Sequence, residues 1–156
     1  MKLDVGCSDA PQGDVNVDFR TTELRDVYKT PLQTYRQIKN FVKADAQHLP
    51  FRAKIFSQSV SSHTIEHVAE PSLMIHEMKR VTKGIIKIIT PFWFSYAYFS
   101  WLRHVDHKYW FMPSWFKRLG FKTSVNLKLL RPELLGKKAP FYFPFFEIVA
   151  DVLLHA

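Results

Sequence analysis

Apolar and polar positions repeat with two different periods along the chain, and the changes of period divide it into elements. Residues 2–7 (KLDVGC) make a short apolar run followed by small residues, and residues 15–19 (VNVDF) alternate, so both predict strands. Only residues 8–14 separate them. A parallel crossover usually takes about a dozen residues or more and contains a helix. Seven extended residues reach at most about 25 Å, however, and a five-residue strand spans about 17 Å. A parallel return is therefore open to this chain, provided that the connector is extended and has no helix.

Further along, Thr30 can cap a helix that Pro31 begins and Gln33 supports through a capping box, running to about Asn40. Residues 41–44 predict a third strand, ended by Asp45. Residues 55–61 (IFSQSVS) are a weaker strand, polar for a central position. Pro71 begins a helix whose apolar positions Leu73, Met74, Met78 and Val81 recur at helical spacing. Lys79, Arg80 and Lys83 suit its negative end, and Gly84 is expected to stop it in the left-handed conformation. Residues 85–90 (IIKIIT) read as a strand covered on both faces. A short helix follows at 113–119, stopped by Gly120, then a strand at 121–130. In the tail, Phe146, Ile148, Ala150, Val152 and Leu154 alternate as in a strand, while Glu147, Asp151 and His155 would line one face of a helix. The strand is preferred, paired with 121–130 as a C-terminal antiparallel hairpin. The order of elements predicts an α/β fold, a mostly parallel sheet with helices on both faces.

Composition bounds this picture. The 156 residues are 47% hydrophobic and 23% charged, which suits a single globular domain over 1–156. The one cysteine, Cys7, excludes an internal disulfide and fits a reducing cytoplasm. No apolar leader is visible, and the longest apolar stretch, residues 91–102, falls short of the roughly 18 residues of a membrane span. A soluble, cytoplasmic chain is expected. Its net charge of +8 is uneven: residues 1–78 carry nine Lys/Arg against ten Asp/Glu, residues 79–156 thirteen against four. Eighteen of the 24 aromatic side chains also lie in the second half. A basic, aromatic half suits a small-molecule or nucleic-acid partner with negative charge; the plainer reading is a solvated basic face over an aromatic core.

Three segments, in order, resemble one family. LDVGCSDA (3–10), ADAQHLPF (44–51) and SSHTIEHV (61–68) with HEMKRVTKGIIKIITP (76–91) are similar to class I S-adenosylmethionine-dependent methyltransferases, of the small type 11-like kind. The resemblance covers 3–91 well and 107–130 loosely. It implies a Rossmann-like sheet in a minimal form, with the first helix reduced or absent and one side of the cofactor open. It also implies a cofactor-binding half (1–91) and an acceptor-side half (92–156). In the resemblance, Gly6 lets the backbone approach the methionine part of S-adenosylmethionine, with Cys7 and Ser8 in the same turn. Asp4 sits near the amino end. Asp18, beside Phe19, accepts from the ribose hydroxyls, and Asp45 accepts from the adenine amino group, with Ala46 and Leu49 against the ring. Ser62 and His63 face the methyl donor. Ser8 and Ala10 stand where the family has its second and third glycines. Cys7 is assigned packing rather than chemistry.

The function this implies is methyl transfer to an acceptor, leaving S-adenosylhomocysteine. If that acceptor is a hydroxyl or amine, His63 is the first candidate base and His107 the second. Residues 92–116 are candidates for an acceptor pocket or a homo-oligomer contact. A non-catalytic binding protein on the same fold is the rival. A dinucleotide dehydrogenase is excluded, since of G-x-G-x-x-G only Gly6 is present and Asp18 comes too soon. His63-Thr64-Ile65-Glu66-His67 also matches H-x-x-E-H, the inverted zinc-protease motif: on a helix His63 and His67 would lie one turn apart and could bind zinc with Glu66 as general base, a remote zinc-hydrolase alternative. His104 and His107 form a second H-x-x-H, read as pocket rim. No metal is assigned.

Overall fold

The computed structural model describes residues 1–8, 10–19, 38–93, 107–130, 133–134, 137–138 and 143–154. Strands β1 (Lys2–Val5), β2 (Val15–Asp18), β3 (Phe41–Lys43), β4 (Phe56–Ser62), β5 (Thr82–Pro91), β6 (Lys122–Leu130) and β9 (Phe143–Leu153) form one sheet in the order β3-β2-β1-β4-β5-β9-β6. Strands β1 to β5 are mutually parallel, and β9 runs antiparallel between β5 and β6. Between β6 and β9 lies a small hairpin, β7 (Glu133–Leu134) and β8 (Lys137–Lys138). This is a Rossmann-like sheet with the expected C-terminal antiparallel pair. The expected helix over 31–37 lies outside the described residues, as does most of the 92–116 aromatic segment; residues 38–40 form a turn.

The crossover from β1 to β2 is parallel and, among its described residues, without a helix. Hydrogen bonds along β1 hold it extended. Asp14 N–H donates to the Lys2 carbonyl at 2.9 Å, Lys2 N–H donates to Asp14 Oδ2 at 2.8 Å, and Gln12 N–H donates to Asp4 Oδ2 at 2.7 Å. Gly13 is required there: a β-carbon would stand 2.4 Å from the Val15 carbonyl oxygen and 2.8 Å from Asp4 N. Asn16, buried on β2, ties the same connector to residue 39 by donating to the Gly13 and Lys39 carbonyls.

Helix α1 (Pro71–Val81) starts with Pro71 at its first position and buries Met74, Ile75, Met78 and Val81 at the 3–4 spacing of one face. Leu73 is on the open side, 36% exposed. Gly84 does not stop this helix, contrary to the expectation. Thr82 caps it in extended conformation, and Gly84 lies within β5. The pairing of β4 with β5 shifts register there, with one extra residue on β5. The Ser57 carbonyl oxygen fills the space beside Gly84, 2.2 Å from where a β-carbon would be. The glycine serves a bulge in the sheet. Helix α2 (Pro113–Arg118) does end as expected, with Gly120 at φ +86°.

One core unites both halves. Leu3, Val5, Val17, Met74, Met78, Ile86, Ile88 and Ile148 pack with Phe111, Phe116 and Phe121. Among the described aromatic residues of the second half, these three are core: the Phe111 and Phe116 rings lie 5.4 Å apart and Trp115 meets Phe116 edge-on at 5.0 Å. Trp93, Tyr109, Trp110 and Met112 remain exposed. Among the described residues no helix is long and apolar enough to cross a membrane.

Candidate functional site

A cleft of about 910 Å³ opens at the C-terminal ends of β1 to β4, where the strand order reverses between β1 and β4. Of the residues expected around a cofactor, Asp4, Gly6, Cys7, Ser8, Asp18, Phe19, Asp45, Ala46, Ser62 and His63 line it. Leu49 does not share that place: it is buried in the core beneath, 4% exposed. Its backbone is clamped to α1, with Leu49 N–H donating to Glu77 Oε2 and Arg80 Nη2 donating to the Leu49 carbonyl. Arg80 also pairs with Glu77 at 2.6 Å, and this holds the Glu77 carboxyl below its ordinary value. The loop carrying Asp45 is therefore pinned to the helix.

The turn after β1 is built by Gly6 at φ +77° and Ser8 at φ +45°. Ser8 thus adopts a left-handed geometry that glycine takes up more readily. Within the protein itself, a second requirement acts on Gly6. A β-carbon there would meet Thr64, 2.0 Å from its Oγ1, so the space belongs to the loop after β4. Gly6 and Cys7 N–H both donate to the Val17 carbonyl, and Ser8 N–H donates to Asp18 Oδ2 at 2.8 Å. Asp45 accepts from Gln47 N–H at 2.9 Å and from the Gln47 side-chain amide. Cys7 is buried, and burial, followed by the nearby Asp18 and Asp4 charges, pushes its thiol up to about 12. It stays protonated and inert.

On the opposite wall, His63 is backed by a charged network whose other members lie behind the lining. His63, in left-handed conformation at φ +53°, hydrogen-bonds Glu147 Oε1 through Nε2 at 2.8 Å, and its Nδ1 lies 3.5 Å from Glu66 Oε1. Lys128 reaches Glu147 Oε2 at 2.7 Å. Burial pulls the His63 imidazole down, but Glu147 and Glu66 outweigh it and raise it to about 9. Glu147 shows the converse: burial raises its carboxyl, and the His63 and Lys128 hydrogen bonds carry it below its ordinary value. The raised imidazole favours its protonated form, held between the two carboxylates. His107 is pushed down, first by burial and then by the neighbouring His67 and His63 against the pull of Glu66, so it keeps a lone pair.

The H-x-x-E-H motif does not form a helical zinc pair, because residues 64–67 are a turn. His63 faces Glu147, while His67 meets His107 edge-on with ring centres 4.7 Å apart. His104 lies outside the described residues. Sequence reasoning missed Glu147, Lys128, Thr64 and Gln47. Glu147 had one signal, as an acid in the apolar run 143–150; its partner is 84 residues away.

The residues suit S-adenosylmethionine. The cleft volume falls in the range of small-ligand sites, roughly 300–1,000 Å³. Asp18 and Asp45 offer carboxylates at the ends of β2 and β3, each able to accept several hydrogen bonds, and Ala46 supplies an apolar surface beside them.

A family model for the methyltransferase domain matches residues 3–85, just over half of the chain. No curated protein matches it. Among solved structures, a Bacillus halodurans protein assigned as a methyltransferase superimposes with a TM-score of 0.68 at 17% identity, covering 99% of this chain and 92% of its own. An S-adenosylmethionine-dependent methyltransferase of Thermotoga maritima gives 0.64 at 14% identity, covering 96% and 81%. One from Methanosarcina mazei gives 0.58 at 15% identity, covering 99% and 92%. At these identities the likeness concerns the fold.

Proposed function

The chain belongs to the methyltransferase-domain family, and from that premise we propose that it transfers a methyl group from S-adenosylmethionine to an acceptor met by the basic, aromatic half of the chain, residues 92–156. When bound, the cofactor supplies an electrophilic methyl on a sulfonium sulfur. The observation that carries the reading is the helix-free parallel crossover, which brings Gly6, Ser8 and Asp18 together, with Ser8 N–H on Asp18 Oδ2 at 2.8 Å. A hairpin would have placed Gly6 and Asp18 at opposite ends of the sheet.

In this reading Asp18 holds the ribose hydroxyls and Asp45 the adenine amino group, with Ala46 and Phe19 beside the rings. Asp4 keeps the turn in place through the Gln12 N–H. His63 and Ser62 bound the methyl end. His63 acts there as a fixed cation neutralised by Glu147, excluding water and orienting rather than moving a proton. Lys108 on the lining and the surplus of positive charge beyond residue 78 favour an anionic acceptor, small molecule or nucleic acid.

Calorimetry with S-adenosylmethionine and S-adenosylhomocysteine tests the reading. Binding is expected for both, and Asp18→Ala should abolish it. Absence of heat at hundreds of micromolar ligand would overturn the proposal. Binding without transfer to any acceptor pool would favour the non-catalytic alternative. A nucleic-acid acceptor would show association that weakens steeply with salt.

A further inference from the structure

The turn after β4 and the segment beginning at His107 bring together three side chains that the methyl-transfer reading leaves unused. Glu66, His67 and His107 each present one ligand atom, and the three atoms lie within 4.8 Å of one another. We propose that they bind one divalent transition-metal ion, of the class taking imidazole and carboxylate donors, and that an oxygen of the methyl acceptor completes its coordination.

Two independent observations support the site. The first is the state of Glu66, only 1% exposed on the loop side of the sheet. Its Oε2 accepts from the Thr90 hydroxyl at 3.1 Å, whereas Oε1 is buried with no hydrogen-bond donor, His63 Nδ1 being 3.5 Å away. That buried oxygen receives no hydrogen bond, and its ionic neighbour among the described residues, His63, is shared with Glu147, so a closer cation would satisfy it. The second is the backbone clamp that makes the cluster. Lys108 N–H donates to the Glu66 carbonyl at 2.8 Å and Tyr109 N–H to the same oxygen at 3.3 Å, which docks His107 against the 64–67 turn. The Tyr109 hydroxyl fastens the segment again, donating to the Ala69 carbonyl at 2.6 Å. Two imidazoles and one carboxylate are the donor set of catalytic zinc and of open iron(II) sites. Metal bonds of about 2.0–2.2 Å need the donors closer together, so binding would draw the two half-buried imidazoles towards Glu66.

This set differs from the H-x-x-E-H pair, because His63 is engaged by Glu147 and stands behind Glu66 as an orienting neighbour. The position also matters. His67 is part of the cleft wall, so the ion would sit where an acceptor enters. Three protein donors leave open positions for water or a substrate oxygen, and a bound hydroxyl there becomes more acidic. The acceptor class is accordingly one with an oxygen donor. That role rests on the methyl-transfer reading, whereas the metal site itself does not.

The test uses untagged protein stripped with chelator and titrated with Co²⁺, followed by visible absorption, and with Zn²⁺, followed by elemental analysis. One equivalent of each is expected. His67→Ala and His107→Ala should each weaken binding by more than about 100-fold, beyond the roughly 10–100-fold typical of orienting neighbours. His76→Ala, on the exposed face of α1, should leave it unchanged. Circular dichroism checks folding, and His67→Gln and His107→Gln stand in for any alanine variant that unfolds. Acetohydroxamate, a two-oxygen chelator, should shift the Co²⁺ spectrum through the open positions. No binding, or binding indifferent to both histidines, would overturn the site; an unshifted spectrum would overturn the acceptor role. Cofactor calorimetry on metal-free protein separates the two readings: heat there without a metal site sinks this inference alone, and a metal site without heat sinks methyl transfer alone.

Discussion

The carboxylates that line the β1–β3 side of the cleft and those that lie behind its β4–β9 side are held by different means. On the β1–β3 side, Asp4, Asp18 and Asp45 each accept a backbone N–H, from Gln12, Ser8 and Gln47, at 2.7, 2.8 and 2.9 Å. On the β4–β9 side, Glu147 and Glu66 face side chains: His63, Lys128 and Thr90. Amide-held acids are fixed by local turns, and the donor remains whatever replaces the acid. The side-chain network joins residues far apart in sequence and fails differently, because losing the cations leaves a charge behind in a buried place.

The sharpest break of that contrast is to strip Glu147 of its partners. Glu147 is 4% exposed, Lys128 54% and His63 38%. The double variant His63→Ala/Lys128→Ala strands a buried carboxylate and should cost about 3–5 kcal/mol in urea denaturation. Glu147→Gln lets both cations return to water and should cost about 1 kcal/mol. Equal costs would mean that the network is ordinary surface pairing.

Gly6 is where the two walls touch. Gly6→Ala forces a side chain into φ +77° and into Thr64, and should cost roughly 2–4 kcal/mol. Introducing it beside Thr64→Gly should recover the packing share and leave the backbone share. A double-mutant cycle with no coupling would show that the walls are independent.

A smaller effect comes from pH. The His63 imidazole rises from 6.5 to about 9 on folding, so its stabilisation is complete below pH 6.5 and is lost as pH climbs through 9. Glu147 is lowered from 4.5, so the same pairing is complete only above that value. Melting temperature of metal-free protein should therefore fall from pH 6.5 to 9 by the equivalent of roughly 1–2 kcal/mol, after allowance for solvent screening. Glu147→Gln should flatten the profile; an unchanged slope would disprove the assignment.

The same contrast explains what could be read from the chain. Acids ending strands, Pro71 opening a helix, Gly120 closing one and the alternation of 146–154 are local patterns, and the structure has each element where the pattern puts it. Gly84 misled because a lysine-rich helix end followed by glycine has the local form of a cap, while its actual cause, the Ser57 carbonyl across a bulge, depends on sheet register. Gly6 was found for its turn, but its neighbour Thr64 comes from another strand end. The tail's alternation showed a strand without showing that Glu147 would face His63. Local turns were legible; pairings across the sheet were not.

The finest test concerns Asp4, the most buried of the amide-held acids at 2% exposed. Burial raises its carboxyl above 3.8, with the Gln12 N–H opposing. A raised acid prefers its proton in the folded state, so its ionisation lowers stability as pH rises from the unfolded value through the folded one. Asp4→Asn keeps an oxygen for Gln12 N–H and removes that charge. It should match the native chain within about 1 kcal/mol at neutral pH, gaining on it as pH rises from 3.8 through the folded value and holding level above that. Asp4→Leu instead leaves the Gln12 N–H without its acceptor and should lose about 1–3 kcal/mol at every pH. If Asp4→Asn lost as much as Asp4→Leu, the charge itself would be what holds the crossover, and the two walls would differ less than their donors suggest.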